Sequence, residues 1–185
     1  MKWSEHLIAR AIAIQTLQRK CLVLVDNCNW TGHECDVLGV TNDLRIIDVE
    51  VKISRADLKA DAGKDKWWQR MGWPDICGPE QLHPHPRKVW KHYYAMPREI
   101  WKPELVDCLP SPASGILLLR QNHGGTAPPV IVDCVRRAIP AKDAYRLTAA
   151  EALDVARLAS LRMWEAYKAL DARDQPASAA LNLTL

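Results

Sequence analysis

Asp36, Glu50 and Lys52 carry, in two short segments, the side-chain types that phosphodiester hydrolysis uses. Carboxylate oxygens are hard ligands for Mg²⁺, an ion that keeps several waters and takes a phosphate oxygen as a further ligand. Bound metal lowers the pKa of its water and neutralises charge developing on the phosphate. A lysine beside the carboxylates orients that water or stabilises the transition state electrostatically. Residues 33–40 and 44–53, separated by Thr41-Asn42-Asp43, read as a β-hairpin that would bring these groups together. In its second arm Ile47, Val49, Val51 and Ile53 alternate with Ile46, Asp48, Glu50 and Lys52. A period of two sends the apolar set to one face and the charged set to the other. With the turn centred near Asn42, Asp36 is expected opposite Asp48 and diagonal to Glu50, at about 7 Å. Two carboxylates at that spacing reach one divalent cation. Glu34 shares their face. Asp-Val-Glu-Val-Lys is also, however, an ordinary solvent-facing stripe on a half-buried strand, and alternation alone does not choose between the two.

A family resemblance chooses. The run Gly32-His33-Glu34-Cys35-Asp36-Val37-Leu38, followed by Asp48-Val49-Glu50-Val51-Lys52-Ile53-Ser54-Arg55-Ala56-Asp57-Leu58, resembles bacterial and phage proteins of the MmcB-like endonuclease type. These belong to the PD-(D/E)XK, restriction-endonuclease-like superfamily. The similarity extends to Trp3-Ser4-Glu5 and to Tyr93-Tyr94-Ala95-Met96-Pro97, and runs with gaps from about residue 3 to 119. It implies that Asp36 and Glu50 are metal ligands, that Lys52 is the catalytic lysine, and that the Val51 carbonyl is a further ligand. Glu5 matches a first-helix acid that such nucleases aim at the metal. It is equally placed as a first-turn glutamate favoured by the helix dipole. Asp36 follows a cysteine, not the proline of the nominal motif, and residues 67–90 have no counterpart in the resemblance.

The elements that must position these residues are legible around them. Residues 3–20 read as a helix, with Leu7, Ile8, Ala11, Ile12, Ile14 and Leu17 on one broad apolar face. Residues 21–25 suit a buried strand, and 26–32 are rich in turn formers. Ser54-Arg55-Ala56-Asp57 has the form of a capping box, predicting a helix to about Lys66. Residues 91–96 read as a strand stopped by Pro97, with a short helix from Arg98. Strands are expected over 115–119 and 130–135. A second capping box at Thr148-Ala149-Ala150-Glu151 opens a helix to about Leu170, and 171–185 is expected to be a flexible tail. The order predicts an α/β fold: one nuclease-like domain over 1–170, a central mixed sheet flanked by helices.

Residues 67–90, with several tryptophans, prolines and histidines, read as an inserted loop longer than usual connections. Trp67 and Trp68 either stack on unpaired bases or pack against the sheet. Lys59 and Lys64, with Lys66, either contact a DNA backbone or form a solvated face with Asp57, Asp61 and Asp65. Cys77, His83, His85 and His92 offer zinc donors, although without a recognisable ligand spacing. His33 either assists proton transfer or is a plain loop histidine. Leu153, Ala156, Leu161 and Trp164 on the last helix belong to the core or to a homodimer face.

Composition bounds the partners. The 185 residues suffice for one domain with a hydrophobic core, and the 48% apolar and 25% charged content is that of a globular protein. A net charge of +3 permits nucleic acid without arguing for it. No apolar run approaches the roughly 20 residues that span a bilayer. An acid and a histidine stand where a signal peptide would start its apolar stretch, so a cytoplasmic location is expected. There the six cysteines would be thiols. The resulting expectation is an Mg²⁺-dependent DNA endonuclease, with Mn²⁺ able to substitute. The rival is a nuclease fold that has lost hydrolysis and binds nucleic acid or protein, such as a phage factor directed at a host protein.

Overall fold

The computed structural model describes residues 2–70, 80–125 and 128–174. It is α/β, with a six-stranded mixed sheet flanked by helices, as the sequence predicts. The sheet strands are β1 (Cys21–Cys28), β2 (Cys35–Thr41), β3 (Ile46–Val51), β6 (Val89–Pro97), β7 (Gly115–Gln121) and β8 (Val130–Arg136). They lie side by side in that order. β3 and β7 both run parallel to β6, and the remaining pairings are antiparallel. A separate two-stranded ribbon pairs β4 (Trp68–Arg70) with β5 (Glu80–Leu82).

One face of the sheet is covered by the N-terminal helix. The Ser4 side chain accepts the Leu7 N–H at 3.3 Å and caps α1 (Glu5–Ile12). Ile8, Ala11 and Ile12 then bury onto Val37, Ile47, Val49 and Val51. The expected helix over 3–20 continues only as a π-helical turn, Ala13–Leu17. That turn serves the edge strand. The Gln15 amide donates to Val130 O at 2.7 Å and accepts the Val132 N–H at 3.2 Å, pairing groups that β8 would otherwise leave open.

The other face is covered in two parts. Over β1 and β2 lies α3 (Ala149–Asp174), whose Val155, with Leu147 just before the helix, packs on Val25, Leu38 and Val40. Its capping box forms as predicted: the Glu151 N–H reaches Thr148 Oγ1 at 3.2 Å, and Thr148 N–H reaches Glu151 at 2.8 Å. The helix runs past Leu170, so residues 171–174 are helical where a tail was expected. Leu153, Leu161 and Trp164 are exposed, the last by 61%. Over β6 and β7 lies α2 (Arg55–Ala60) with the turns after it, packing Leu58 and Trp67 on Tyr94, Met96, Ile116 and Leu118.

Several local readings change. β1 extends to Cys28, because Cys28 pairs with Cys35 across what composition marked as a loop. The helix expected to reach Lys66 ends at Ala60 and gives way to 3₁₀ turns Asp61–Gly63 and Asp65–Trp67, with extended backbone at Lys64. Residues after Arg98 form a turn, followed by a 3₁₀ helix, Pro103–Cys108. The insertion is shorter than predicted, since Trp67 belongs to the core and β6 starts at Val89. Its Trp73 and Cys77 lie outside the described residues. Among the described residues no helix is long and apolar enough to cross a membrane, and Cys21, Cys28, Cys35, Cys108 and Cys134 are free thiols.

The hairpin register also differs. Val37 pairs with Val49 and Leu38 with Asp48, which sets Asp36 level with Glu50 and not with Asp48. The cause is the turn. Thr41 N–H donates to Arg45 O at 2.9 Å, so Asn42, Asp43 and Leu44 form a three-residue loop with Leu44 in the left-handed region at φ 60. Thr41 Oγ1 holds the loop from inside, accepting Arg45 N–H at 3.0 Å and donating to Asp43 at 2.6 Å.

Ser54 is the hinge between β3 and α2, its Oγ accepting the Asp57 N–H at 3.1 Å. Ser54→Ala should therefore cost about 1 kcal/mol in urea unfolding, the usual worth of a serine N-cap. An unchanged midpoint would mean that α2 is held by its buried face alone.

Candidate metal and phosphoryl-transfer site

The charged face of β3 is not a solvent face. Asp48, Glu50 and Lys52 are buried, with Glu50 and Lys52 exposed by 2% and 1%. Alternation places them on one side as expected. What covers that side is α2 and its following turns, and a period of two carries no information about a cover. Buried charges must be paired, and here they are.

Lys52 Nζ donates to Glu50 Oε1 at 3.0 Å and to Asp61 Oδ1 at 3.0 Å, with Asp57 Oδ1 at 3.5 Å. Lys66 Nζ donates to Glu50 Oε2 at 2.8 Å and lies 3.8 Å from Asp61. Lys64 closes on Glu50 Oε1 and lies 3.1 Å from Asp61. Trp67 Nε1 donates to Asp61 Oδ2 at 3.0 Å, and Tyr94 donates its hydroxyl proton to the same oxygen. The extended backbone at Lys64 is what turns Lys64 and Lys66 inward. A continuous helix would have left them among the exposed acids.

Asp36 completes the set from β2. Its Oδ2 accepts the Val51 N–H at 2.6 Å, replacing a ladder bond where the β2–β3 pairing stops. The N–H and C=O of one strand residue leave by the same edge, so the Val51 carbonyl implied by the resemblance faces the Asp36 side. Burial and the neighbouring Glu50 carboxylate push Asp36 up to about 6. Lys66 and Lys52, together with the Tyr94 hydrogen bond, hold Asp61 far below the usual carboxylate range despite its burial. Burial and the Asp61 charge push the Tyr94 hydroxyl up, so it stays protonated as a donor. Glu50 and Asp61 raise Lys64.

The structure thus brings together Asp36, Glu50, Lys52 and Lys64, and adds Asp61 and Lys66, which the sequence offered only as part of a DNA-facing or solvated row, and Tyr94, which sequence reasoning missed. Tyr94 is level with Glu50 in the parallel β3–β6 register, and its alternation in β6 is the signal that could have found it. Asp61, read as a solvated partner of nearby lysines, sits four residues after Asp57 beyond the capping box. Trp67 is a correction. It is fully buried, with its indole N–H on Asp61, and presents no face for a base to stack on. Trp68 is 38% exposed, with its indole N–H on Ala62 O at 2.9 Å. Lys59 is exposed. Glu5 is exposed on the helix that covers the opposite sheet face, and among the described residues no hydrogen bond or ion pair joins it to the cluster. His92 is buried between Trp67 and Tyr94, and burial drops it to about 4. His85 donates its Nε2–H to Ile139 O at 2.8 Å.

A cleft of about 650 Å³ opens beside this cluster, lined by His33, Lys66, Trp68, His83 and Arg87 among others. Lys66, on its wall, is also bonded to Glu50, so the cleft and the buried carboxylates share a residue.

No protein family's sequence profile matches the chain, and no curated protein matches it. Among solved structures it is similar to a protein of unknown function from Silicibacter pomeroyi, with a TM-score of 0.53 and 22% identity over 94% of each chain. At that identity the likeness extends to the fold alone.

Two stability measurements check the electrostatics. An Asp36 pKa of about 6 lies above the unfolded value near 3.9. The folded state therefore holds a proton that the unfolded chain has released between those values, and ionised Asp36 works against folding above about pH 6. In chelator-treated protein Asp36→Asn should raise the melting temperature at neutral pH, and the gain should shrink as pH falls through that window. A gain that does not vary with pH would contradict the assignment. Asp61→Ala should instead cost roughly 3–5 kcal/mol in urea unfolding, because it leaves Lys52 and Lys66 sharing the single buried charge of Glu50 and takes the acceptor from Trp67 and Tyr94. A loss below about 1 kcal/mol, the worth of an exposed pair, would mean the cluster is open to water.

Proposed function

We propose that the chain is a metal-dependent nuclease acting on DNA, with Asp36 and Glu50 as metal ligands and Lys52 as the catalytic lysine. The observation that carries this reading is the convergence of Asp36 and Glu50, level across β2 and β3, with the Lys52 ammonium bonded to Glu50. The donor set fits a hard cation: two carboxylates from adjacent strands, one raised in pKa by burial and by the other's charge, beside a strand-edge carbonyl. When bound, Mg²⁺ or Mn²⁺ would supply Lewis-acid activation of water and charge neutralisation on the phosphate.

The remaining roles fall to this chain's own groups. Lys52 Nζ is fixed by Glu50 and Asp61 and needs no reorganisation to face developing negative charge. Asp61 and Tyr94 act by positioning: they hold the lysine from behind. Lys64 is half-exposed, bonds Glu50 and lowers Asp36 through space, so its ammonium offsets the charge of the two carboxylates that would hold a metal. It is free to swing outward on its long stem and meet a DNA phosphate. Lys66 and Arg87 line the adjoining cleft with positive charge.

The saturation of Glu50 by Lys52, Lys64 and Lys66 favours a second reading, in which the fold binds DNA and does not cut it. Turnover separates the two. A panel of duplex, single-stranded and branched DNA and of RNA should be cleaved with Mg²⁺ or Mn²⁺ and spared in EDTA. Cleavage that persists in EDTA would sink the mechanism, and binding without cleavage in any metal would promote the second reading. Lys52→Ala should lower the rate by roughly 100-fold or more while metal binding persists, the scale of losing one preorganised contact. Lys64→Ala should tighten Mn²⁺ binding in calorimetry, since it removes a competing cation. Weaker binding would show that Lys64 does not hold the metal's place.

A further inference from the structure

A second convergence of donor atoms lies on the same strand face, one step toward the hairpin turn, and it differs in kind. His33 Nε2 lies 3.2 Å from Asp48 Oδ2, and Cys35 Sγ lies 3.7 Å from the same His33 nitrogen. All three ligand atoms fall within 4.8 Å of one another. Around a tetrahedral zinc ion, neighbouring nitrogen and oxygen ligands stand about 3.3 Å apart and nitrogen and thiolate about 3.6 Å apart, from ligand distances of roughly 2.0–2.3 Å. The two edges that meet at His33 Nε2 match these values. We propose that His33, Cys35 and Asp48 form a binding site for a zinc-type transition-metal ion, adjoining the Asp36 and Glu50 pair, since Asp48 also brings a ligand atom within 4.8 Å of Glu50 and His92.

The same three residue types also make a cysteine–histidine–aspartate catalytic relay, and the geometry argues against that. A relay uses the two ring nitrogens for different partners, one for the nucleophile and one for the acid. Here the thiol and the carboxylate both converge on Nε2. The other ring nitrogen, Nδ1, faces Thr31 Oγ1 at 3.2 Å. Thr31 donates its hydroxyl proton to His33 O at 3.0 Å, which leaves its oxygen to accept from Nδ1–H. That tautomer turns the Nε2 lone pair toward Asp48 and Cys35. Three electron-pair donors aimed at one point are what a cation organises, and the Thr31 contact is the outer hydrogen bond that metal-binding histidines carry.

Unpaired buried atoms give a second, independent sign. Asp48 and His92 are buried to 0% and 1% exposure, yet Asp48 Oδ1 and His92 Nε2 have no hydrogen-bond partner among the described residues. His92 Nε2 stands 3.9 Å from Asp48 Oδ2 and is the nearest further nitrogen donor, with its Nδ1 on Ser114 Oγ at 2.9 Å. A buried carboxylate with an unpaired oxygen beside an unpaired imidazole nitrogen is costly without a cation to share. The mixed sulfur, nitrogen and oxygen set selects a borderline-soft ion over Mg²⁺. His33 is partly exposed and lines the cleft with Thr31, which provides the way in. Binding forms the metal–sulfur bond at the expense of the Cys35 S–H bond, and the proton leaves to solvent.

Cobalt titration of chelator-stripped protein tests this directly. One equivalent of Co²⁺ should produce visible d–d bands and a near-ultraviolet thiolate-to-cobalt charge-transfer band, lost on adding one equivalent of Zn²⁺ and unaffected by excess Mg²⁺. Cys35→Ser should abolish the charge-transfer band. His33→Ala, at a loop position that tolerates truncation, should weaken Zn²⁺ binding by more than the roughly 10–100-fold typical of losing an outer-shell partner. Asp36→Asn should leave the band in place, which separates this site from the carboxylate pair. The proposal is overturned by wild-type protein that shows no thiolate band at saturating Co²⁺, or by a band that survives in folded Cys35→Ser.

Discussion

A row of charged side chains on a central strand has been closed over by the chain that follows it, and the fold around β3 depends on how those charges are balanced. An unpaired ion in such a place costs several kcal/mol even after relaxation. Glu50 and Asp61 are balanced by Lys52 and Lys66, and Asp61 is shared further with Trp67 and Tyr94. The partners come from three places: the residue that follows β3, the turns after α2, and β6. The cover over this sheet face therefore forms only when the charges pair, and the charges are desolvated only when the cover forms. Geometry at Lys52 is fixed as a by-product, since its ammonium is held from two sides. Asp36 is the exception. It has the Val51 N–H but, among the described residues, no ion pair, and its raised pKa records first its burial and then the repulsion from Glu50 that a cation would relieve.

Two donor sets of opposite chemistry stand along this one face. Asp36 and Glu50 offer hard oxygens near the end of β3, on the edge where Val51 meets Asp36. His33, Cys35 and Asp48 offer sulfur and nitrogen one step back, in a drier place beside His92. Asp48 and Glu50 are two residues apart, so side-chain direction groups them and only their neighbours distinguish them. Lysines surround Glu50, whereas histidines surround Asp48. Ligand softness then sorts the ions that each would take.

How much of this the sequence discloses depends on the distance over which each feature is encoded. The assignment of Asp48, Glu50 and Lys52 to one face follows from alternation, and both capping boxes form at Ser54 and Thr148, because each is local. The register was misjudged by a two-residue shift of the opposing pair, since the loop runs through Leu44 in a left-handed conformation that leucine rarely adopts. That shift places Asp36 directly opposite Glu50, nearer than the diagonal expected. The inward turn of Lys64 and Lys66 was not legible, because helical continuation to Lys66 is what local propensity favours and the break at Ala60 answers to carboxylates on another element. Trp67 followed the same logic. The sequence leaves it between stacking on bases and packing against the sheet, and only its place over β6 decides for packing.

The central claim is that the Asp36 and Glu50 carboxylates form a divalent-metal centre whose place is held by Lys64 in the metal-free chain. Anomalous diffraction from crystals soaked in Mn²⁺ locates the ion without assuming any substrate. The account predicts a manganese peak bridging Asp36 and Glu50, with the Lys64 ammonium moved away from Glu50. Ordered carboxylates with no peak between them, and Lys64 still seated on Glu50 at saturating Mn²⁺, would contradict it.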